Sequence, residues 1–454
     1  MTNPTTTTTA TNPLHPDRWE HDLHDKKPLL TAAEAKVEAD RCLYCADAPC
    51  IKACPTSIDI PTFIKKIASG NVRGSARTIL EQNLLGYSCA RVCPVEVLCV
   101  GDCVLNAVDH KPISIGRLQR YATEHGTAAG QAPLFVAKPR GSRRVALIGA
   151  GPASLACAGV LALNGVEATI FEKRGVAGGL NTTGIAPYKL RAEESLHEVD
   201  FVRSLGVEIR TGISLGEAAG PNTVTAESLL AEYDAVFLGL GLGVDNRLGI
   251  PGEDGPGVIG ATAWIETMKL APRDPRVKLG RVVIVGGGNT ALDVAREAAL
   301  LGADEVALVY RRGESDMTGY AHELEGARTE TVRLLPHRTP VAFERDETGA
   351  LTGLRVRVTG PNLGPNHDSR EEVIPCELAT IAIGQEKLGA LAAAFPGLVL
   401  DAKGRVEVSP STRRSAHPKV YAGGDCINGG KEVVNAVADG RDAAKAMLKE
   451  LGDG

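Results

Sequence analysis

Aromatic residues are scarce in this chain, at 4% of its 454 residues, and no segment is strongly basic or apolar over a long stretch. Few aromatic rings leave no stacking platform for nucleic-acid bases. A net charge of -5 gives no attraction for nucleic acid or for an anionic membrane surface. No run approaches the roughly 20 apolar residues of a membrane-spanning helix. These absences argue against nucleic-acid binding and against membrane insertion.

The N-terminus, MTNPTTTTTATNPLHPDRWE, lacks the apolar core that a secretion signal needs. Its polar composition predicts a disordered tail over residues 1–30. We therefore expect a cytoplasmic protein.

Cysteine is the residue type that stands out, because eight of the eleven cysteines lie between Cys42 and Cys103. In a reducing compartment such a group indicates metal binding rather than disulfides. Short spacings followed by Cys-Pro are typical of ferredoxin-like sites, so the two runs predict two [4Fe–4S] clusters. The runs are Cys42-x2-Cys45-x4-Cys50-x3-Cys54-Pro55 and Cys89-x3-Cys93-Pro94-x4-Cys99-x3-Cys103.

Two zinc sites of four cysteines each would need the same number of ligands and are the alternative. Zinc carries no electrons, however, and the segments that follow have the pattern of redox nucleotide-binding domains. Iron–sulfur is therefore the favoured interpretation.

From Val145 onward the sequence predicts a strand, a glycine turn, a helix and a second strand, in RVALIGAG, PASLACAGVLALNG and ATIFEK. The glycines of Gly149-x-Gly151-x-x-Ser154 permit a tight turn and a close approach of a pyrophosphate to the backbone. Glu172 ends the second strand, where a carboxylate would bind ribose hydroxyls. The predicted dinucleotide-binding residues are Gly149, Gly151, Pro152, Ala153, Ser154, Glu172 and Lys173.

The same pattern returns over residues 281–312, with Gly286-x-Gly288-x-x-Ala291 at the turn. The second strand here ends in two arginines instead of an acid. Basic residues suit a 2′-phosphate and favour NADPH over NADH, although Glu314 and Asp316 lie close enough to bind a 2′-hydroxyl instead. The predicted residues are Gly286, Gly287, Gly288, Asn289, Thr290, Arg311 and Arg312.

Two further motifs, Gly178-Gly179-Leu180 and Gly423-Gly424-Asp425, resemble the flavin-binding motifs of two-dinucleotide flavoprotein reductases. That resemblance implies FAD in the first unit, with Asp425 at the flavin ribitol. No general acid or base stands out, and hydride transfer to flavin requires none. Lys189, Gly384 and Val433 complete the predicted cofactor-binding residues.

The predicted fold class is α/β, with a helical N-terminal domain for two [4Fe–4S] clusters and two Rossmann-like domains for FAD and NAD(P)H. The second Rossmann-like domain is inserted in the first. The predicted boundaries are 31–126 for the iron–sulfur domain, 127–142 for a linker, 143–270 and 386–454 for the FAD domain, and 271–385 for the NAD(P)H domain.

The segments RCLYCADAPCIKACPTSIDIPTFI, CARVCPVEVLCVGDC and PISIGRLQRYATE resemble the N-terminal segment of dihydropyrimidine dehydrogenase. The resemblance continues through IGAGPAS, IFEK, GGL and YAGGD. It implies the small subunit of a bacterial two-subunit enzyme, which takes electrons from NADPH or NADH through FAD and two [4Fe–4S] clusters. The implied partner subunit holds FMN and iron–sulfur and reduces uracil or thymine, so a hetero-oligomer is expected.

The resemblance also implies a set of cluster ligands that draws on both cysteine runs. Its pattern leaves Cys89 spare, whereas the residues alone favour Cys89 over Gln119 as the eighth ligand. The implied ligands are Cys42, Cys45, Cys50 and Cys103 for one cluster, and Cys54, Cys93, Cys99 and Gln119 for the other.

Other families are similar over the same span. The small subunit of glutamate synthase and the large subunit of a ferredoxin:NADP oxidoreductase are the alternatives of the same class. An alternative of another class is a zinc-stabilised assembly subunit that binds a nucleotide without catalysis, and such a protein would be colourless.

Overall fold

The computed structural model describes residues 14–452, except 129, 219, 275, 277 and 361–369. A helical N-terminal domain is followed by two parallel five-stranded sheets, each with helices packed against it. Within the described ranges, none of the helices combines the length and the apolar character needed to span a bilayer.

The N-terminal domain is built from short helices with well-defined starts. The Thr31 hydroxyl accepts from the Glu34 amide at 3.2 Å while the Glu34 carboxylate accepts from the Thr31 amide at 2.8 Å, which forms a capping box. Apolar residues at helical spacing, such as Phe63 and Ile67, form the core. The helices are α1 (Ala32–Asp40), α2 (Pro49–Ala53), α3 (Ile60–Ala68), α4 (Val72–Gln82), α5 (Gly86–Val92) and α6 (Ile115–Gly126), with 3-10 turns at Trp19–Asp22, Val95–Val97 and Val104–Val108.

The first nucleotide-binding unit begins with the predicted strand, turn, helix and strand. Its first strand is buried from Val145 to Ile148, as expected for a central strand of a parallel sheet. The elements are β1 (Arg144–Ile148), α7 (Pro152–Leu163), β2 (Glu167–Glu172), α8 (Leu180–Thr183), α9 (Ala192–Ser204), β3 (Glu208–Thr211), β4 (Ser214–Leu215), β5 (Thr223–Val224), α10 (Ala226–Glu232) and β6 (Ala235–Leu238).

The second unit repeats this arrangement and adds an antiparallel three-stranded sheet. Its elements are β7 (Val258–Gly260), α11 (Ala261–Leu270), β8 (Arg281–Val285), α12 (Asn289–Leu300), β9 (Glu305–Val309), α13 (Ala321–Thr329), β10 (Arg333–Leu335), β11 (Arg338–Arg345), β12 (Leu351–Val358), β13 (Glu371–Pro375) and β14 (Leu378–Ile381), with a 3-10 turn at Glu314–Asp316. The parallel sheet has the order β10-β9-β8-β14-β7, and the antiparallel sheet the order β11-β12-β13.

The chain then returns to the first unit through α14 (Gly389–Ala392), β15 (Val420–Ala422), α15 (Asp425–Asn428) and α16 (Val433–Leu451). Strand β15 pairs with β6, which gives the first sheet the order β15-β6-β1-β2-β3. The second unit therefore lies between two strands that are neighbours in the first sheet, as the predicted insertion requires.

The start of the insertion differs from the predicted residue 271. Strand β7 pairs in parallel with β14, with Val258 opposite Ala379, so the second sheet already includes residues 258–260. Before it, the Gly243 amide donates to the Glu386 carbonyl at 2.8 Å, so the outgoing and returning segments run side by side between the units. A three-residue strand whose partner is far away in sequence gives no local signal of its own.

The N-terminal segment also differs from the prediction of a disordered tail over 1–30. Residues 1–13 lie outside the described residues. Residues 14–30 carry a 3-10 turn at Trp19–Asp22 and a fully buried Leu23.

Ion pairs explain why this polar segment packs. The Arg18 guanidinium lies 2.6 Å from the Glu193 carboxylate, and the Glu20 carboxylate accepts from the Ala192 amide at 2.9 Å. Both of these partner residues belong to helix α9 of the first unit. Arg18 also forms a β-bridge with Pro272 of the second unit. Because these partners are distant in sequence, composition alone could not reveal them.

A buried carboxylate joins the N-terminal domain to the first unit. Glu198 of α9 accepts from the Tyr87 and Ser88 amides of α5 at 2.9 and 3.0 Å, and also from the Ser88 hydroxyl. Burial raises the pKa of Glu198 to about 7 despite these donors. The helix that precedes Cys93 is thereby fixed on the first nucleotide-binding unit.

Candidate functional site

Both predicted nucleotide sites open into one cavity of about 1680 Å³ between the two units. All of the predicted cofactor-binding residues line it except Ser154 and Gly178. A volume of this size exceeds the usual range for one drug-sized ligand and fits two nucleotides end to end.

The first glycine turn has the geometry that its sequence predicted. Gly149 has φ +87°, and a Cβ there would lie 2.5 Å from the Gly239 carbonyl oxygen, so glycine is required. Ser154 is fully buried against Gly239, which agrees with a packing role for this position. The Glu172 carboxylate accepts from the Ala150 amide at 2.7 Å. Glu172 therefore fixes the turn itself, in addition to facing the cavity.

The flavin motifs pack directly on this turn. The Gly178 amide donates to the Ala150 carbonyl at 2.9 Å, and a Cβ at Gly179 would lie 2.7 Å from Gly151 Cα. Gly424, which has φ +76°, begins the short helix α15 with Asp425. Burial raises the pKa of Asp425 above its ordinary value. The predicted flavin residues thus surround one end of the cavity.

The second glycine turn lies at the other end of the cavity. A Cβ at Gly287 would lie 2.5 Å from the Tyr310 ring, so the turn and the end of β9 are in close contact. The Arg312 guanidinium donates to the Tyr310 hydroxyl at 2.7 Å. Arg311 and Arg312 are both exposed at the edge of the cavity.

Lys189 joins the two units instead of standing free. Its ammonium group lies 2.6 Å from both the Asp293 and the Glu323 carboxylates, which belong to the second unit. The Tyr188 hydroxyl also donates to Asp293, at 3.0 Å. These contacts hold the two nucleotide-binding units in one relative position beside the cavity.

Among the cavity-lining residues that the sequence did not single out, three have notable polar groups. Asn181 is almost fully buried, and both polar atoms of its amide lack partners among the described residues. The Tyr320 hydroxyl donates to Glu432 across the cavity at 2.7 Å, and His322 stacks on Tyr320. The polar Asn181 directly after Gly-Gly-Leu was a usable signal, whereas nothing local marks Tyr320 or His322.

Cys42, Cys45 and Cys50, from the start of the first run, lie close to Cys103 at the end of the second run. Burial, with the nearby sulfurs of Cys42, Cys103 and Cys45, raises the pKa of the Cys50 thiol to about 12. Burial also raises the pKa of Cys42, and the nearby Cys45 and Cys103 add to this increase. The neighbours are the four residues that the family resemblance implied for one cluster.

Three further cysteines form a second group. Burial and the nearby Cys54 and Cys50 raise the pKa of Cys99 to about 12. The pKa of Cys93 lies well above its ordinary value because it hydrogen-bonds to Cys89, because it is buried, and because Cys99 and Cys54 are near. Cys50 and Cys99 are close as well, so the two groups are adjacent.

The spacing of these sulfurs does not suit zinc. Zn–S bonds of about 2.3 Å in a tetrahedral site bring the sulfurs to about 3.8 Å of one another. In the part of the chain that the structure describes, no three cysteine sulfurs lie within 4.8 Å of one another. Wider groups of partly buried thiols fit a cluster in which each iron takes one protein ligand, because cationic irons favour the thiolate form.

Cys89 lies on helix α5, which leads into Cys93, and Gln119 contacts the start of that helix. The Gln119 side-chain amide nitrogen donates to the Gly86 carbonyl at 2.8 Å, at the start of the helix that carries Cys89. Both side chains are buried. Cys93 and Pro94 also line the nucleotide cavity, so this group of cysteines reaches the wall of the cavity into which both glycine turns open.

Comparison with family models decides the class of the protein. Residues 20–131 match the model described as dihydropyrimidine dehydrogenase domain II, 4Fe-4S cluster. Residues 143–440 match the pyridine nucleotide-disulphide oxidoreductase model. The chain belongs to the pyridine nucleotide-disulphide oxidoreductase family. It is an oxidoreductase that uses [4Fe–4S] iron–sulfur, FAD and NAD(P)H, which confirms the predicted kinds of cofactor and the fold class.

Relatives with curated names fall into more than one group. The chain is 34% identical to the glutamate synthase [NADPH] small chain of Escherichia coli, over 93% of this chain and 92% of that one. It is 34% identical to the NAD-dependent dihydropyrimidine dehydrogenase subunit PreT of the same organism, over 94% of this chain and 96% of that one. These relatives support the predicted resemblance to both families.

Solved structures support the fold. Thioredoxin reductase of T. acidophilum superposes with a TM-score of 0.55 at 21% identity, over 68% of this chain and 99% of that one. FprA from Mycobacterium tuberculosis in complex with NADPH superposes with a TM-score of 0.52 at 19% identity, over 70% of this chain and 85% of that one.

Proposed function

We propose that this chain is the electron-input subunit of a two-subunit dihydropyrimidine dehydrogenase. It oxidises NADPH, or NADH, and delivers the electrons to a partner subunit that holds FMN and iron–sulfur and reduces uracil or thymine to the 5,6-dihydropyrimidine. Bound FAD and two [4Fe–4S] clusters supply the hydride and single-electron chemistry, while the protein sets their positions.

The observation that carries this proposal is the position of Cys93 and Pro94 in the wall of the nucleotide cavity. A cluster held by Cys93 would lie against the cavity that the flavin motifs also line. The group that includes Cys42 and Cys45 is adjacent to the group that includes Cys93. Leu43, which lies between Cys42 and Cys45 in the sequence, is 62% exposed, so the group with Cys42 and Cys45 is close to the protein surface. The two groups therefore form a path from the cavity to the surface, where a partner subunit can take electrons.

For the cluster ligands we propose the two groups of neighbouring cysteines with Gln119 as the eighth ligand. The Cys89 and Cys93 sulfurs are close enough to form a hydrogen bond. Sulfurs that bind two different irons of one cluster lie farther apart, so Cys89 and Cys93 do not both bind the same cluster. The Gln119 nitrogen is engaged by a carbonyl, which leaves Oε1 for iron. The proposed ligands are Cys42, Cys45, Cys50 and Cys103, and Cys54, Cys93, Cys99 and Gln119.

The second glycine turn favours NADPH over NADH because the nearby acids are engaged. Glu314 lies 2.6 Å from Arg328, and Asp316 accepts from the Gly313 amide at 3.2 Å. Neither carboxylate lines the cavity, whereas Arg311 is exposed at the cavity edge and available for a 2′-phosphate.

We predict that Arg311→Ala lowers kcat/KM for NADPH about 10- to 100-fold and leaves that for NADH nearly unchanged, as expected for the loss of a charge-assisted hydrogen bond. Steady-state assays with an artificial electron acceptor measure both values. Arg333→Ala, an exposed arginine outside the cavity lining, is the matched control. Equal losses for both nucleotides would contradict a 2′-phosphate contact.

The overall proposal is tested with the purified chain and its native partner. The chain alone is expected to oxidise NADPH with an artificial acceptor and to leave uracil unchanged. The co-purified complex is expected to reduce uracil. Uracil reduction by the isolated chain would overturn the division of labour between two subunits.

Glutamate synthase is the second candidate, because the chain is equally similar to that small chain, at 34% identity. The co-purified complex is therefore also assayed with glutamine and 2-oxoglutarate. Activity with that pair, and none with uracil, would replace the pyrimidine assignment and keep the electron-input role.

A further inference from the structure

A buried hydroxyl lies beside one of the proposed cluster ligands. Thr56 follows Cys54 and Pro55 and is fully buried. Its Oγ1 lies 3.3 Å from Cys54 Sγ, within hydrogen-bonding distance for sulfur. Either atom could donate on distance alone, so the direction of this hydrogen bond depends on the other partners of Thr56.

Those partners fix the direction. The Leu85 amide can only donate, and it donates to Asn83 Oδ1 at 3.0 Å. The amide nitrogen of Asn83 must therefore face Thr56, and it donates to Thr56 Oγ1 at 3.4 Å. As a cluster ligand Cys54 is a thiolate without a proton, so the Thr56 hydroxyl, which accepts from Asn83, directs its single proton to Cys54 Sγ. No other acceptor for that proton lies within hydrogen-bonding distance among the described residues.

The surroundings hold this arrangement in place. Asn83 directly follows helix α4 and is 1% exposed. Arg441 of α16 donates to the Thr56 carbonyl at 2.5 Å and to the Gln82 carbonyl at 3.3 Å. The guanidinium therefore joins the Thr56 backbone and the end of α4 to the FAD-binding unit, so the hydroxyl has a fixed position relative to Cys54.

We infer that Thr56 is a positioning residue that raises the reduction potential of the cluster beside the nucleotide cavity. The inference rests on the proposed function, since it takes Cys54 as a ligand of that cluster. Reduction adds negative charge to the cluster and its sulfurs, so an O–H group directed at a ligand sulfur stabilises the reduced form more than the oxidised form. A neutral Gln119 ligand acts in the same direction, because it leaves the cluster with one negative charge fewer than four thiolates would.

The test is an EPR-monitored redox titration of the full chain with its clusters. Thr56→Val removes the hydroxyl at nearly constant volume and is expected to make reduction of one cluster about tenfold less favourable, a shift of about 59 mV to lower potential for a one-electron couple. Thr56→Ser keeps a hydroxyl and is expected to return the midpoint toward the wild-type value. An unchanged midpoint in Thr56→Val, or the same shift in Thr56→Ser, would overturn the inference.

Two further variants keep the result interpretable. Thr380→Val replaces a buried threonine of the second unit whose hydroxyl has no partner among the described residues, and both midpoints are expected to stay in place. If Thr56→Val does not retain iron, Thr56→Ala replaces it, because alanine removes the hydroxyl and adds no bulk. The same shift of the cluster midpoint to lower potential is then expected for Thr56→Ala. Iron content and NADPH oxidation are measured on each sample. Normal values with an unshifted midpoint contradict only the role of Thr56, whereas a wild-type chain without clusters contradicts the proposed function itself.

Discussion

Gln119→Ala is expected to cost the protein one of the two clusters proposed for it, whereas Cys89→Ala is expected to leave both in place. The Gln119 side chain is buried, and its nitrogen donates to the Gly86 carbonyl at the start of the helix that leads to Cys93, so its amide group has a defined orientation. Alanine offers iron no ligand atom. A cluster with three cysteine ligands and an open iron is labile to loss, while the group with four cysteines is untouched.

Iron analysis and EPR spectra of the reduced protein separate the two variants. Gln119→Ala is expected to fall from about eight iron atoms per chain toward about four and to lose one of two EPR signals. Cys89→Ala is expected to keep all the iron and both signals. FAD content serves as the internal control for correct folding, because neither side chain lines the cavity. The reverse pattern, with iron lost only in Cys89→Ala, would establish Cys89 as the eighth ligand.

The order of the domains could be predicted from sequence because each depends on local patterns. Gly149-x-Gly151 and Gly286-x-Gly288 lie at strand-to-helix turns as expected, and their residues line one cavity. A glycine that needs positive φ after a buried strand is a local requirement, so a single sequence can display it.

Features that depend on distant partners could not be predicted in this way. Nothing near Arg18 indicates its ion pair with Glu193, and nothing near Val258 indicates its pairing with Ala379. The position of Cys93 in the cavity wall likewise depends on how Glu198 holds helix α5 against the first unit. Each of these contacts joins residues that only the folded chain brings together.

The same limit applies to the cysteine groups. Spacing within each run suggests that four consecutive cysteines share a cluster. The structure instead brings Cys103 to Cys42 and Cys54 to Cys99, so each group draws on both runs. Only the resemblance to a known family anticipated this arrangement, because the connection between the runs passes through helices α3 to α5.

The second large effect concerns the assignment of the two nucleotide sites. Gly149→Ala is expected to weaken FAD binding at least about thirtyfold, so that the purified protein carries little flavin. The added Cβ would lie 2.5 Å from the Gly239 carbonyl oxygen, and φ is +87°, so crowding and backbone strain together cost about 2 to 5 kcal/mol. FAD released by denaturation and measured by absorbance, per chain, gives the occupancy.

Gly286→Ala is the reciprocal variant and makes the assignment testable. It has φ +154°, and a Cβ there would collide with the Ala382 carbonyl, so the second turn is disturbed while the first is intact. This variant is expected to keep its FAD and to lose NADPH oxidation. Gly302→Ala, with φ +83° and no atom within 4 Å of the added Cβ, controls for backbone strain alone and is expected to keep both properties. Loss of FAD from Gly286→Ala with retention in Gly149→Ala would mean that the two sites are exchanged, and electrons would then enter from the end of the cavity assigned here to FAD.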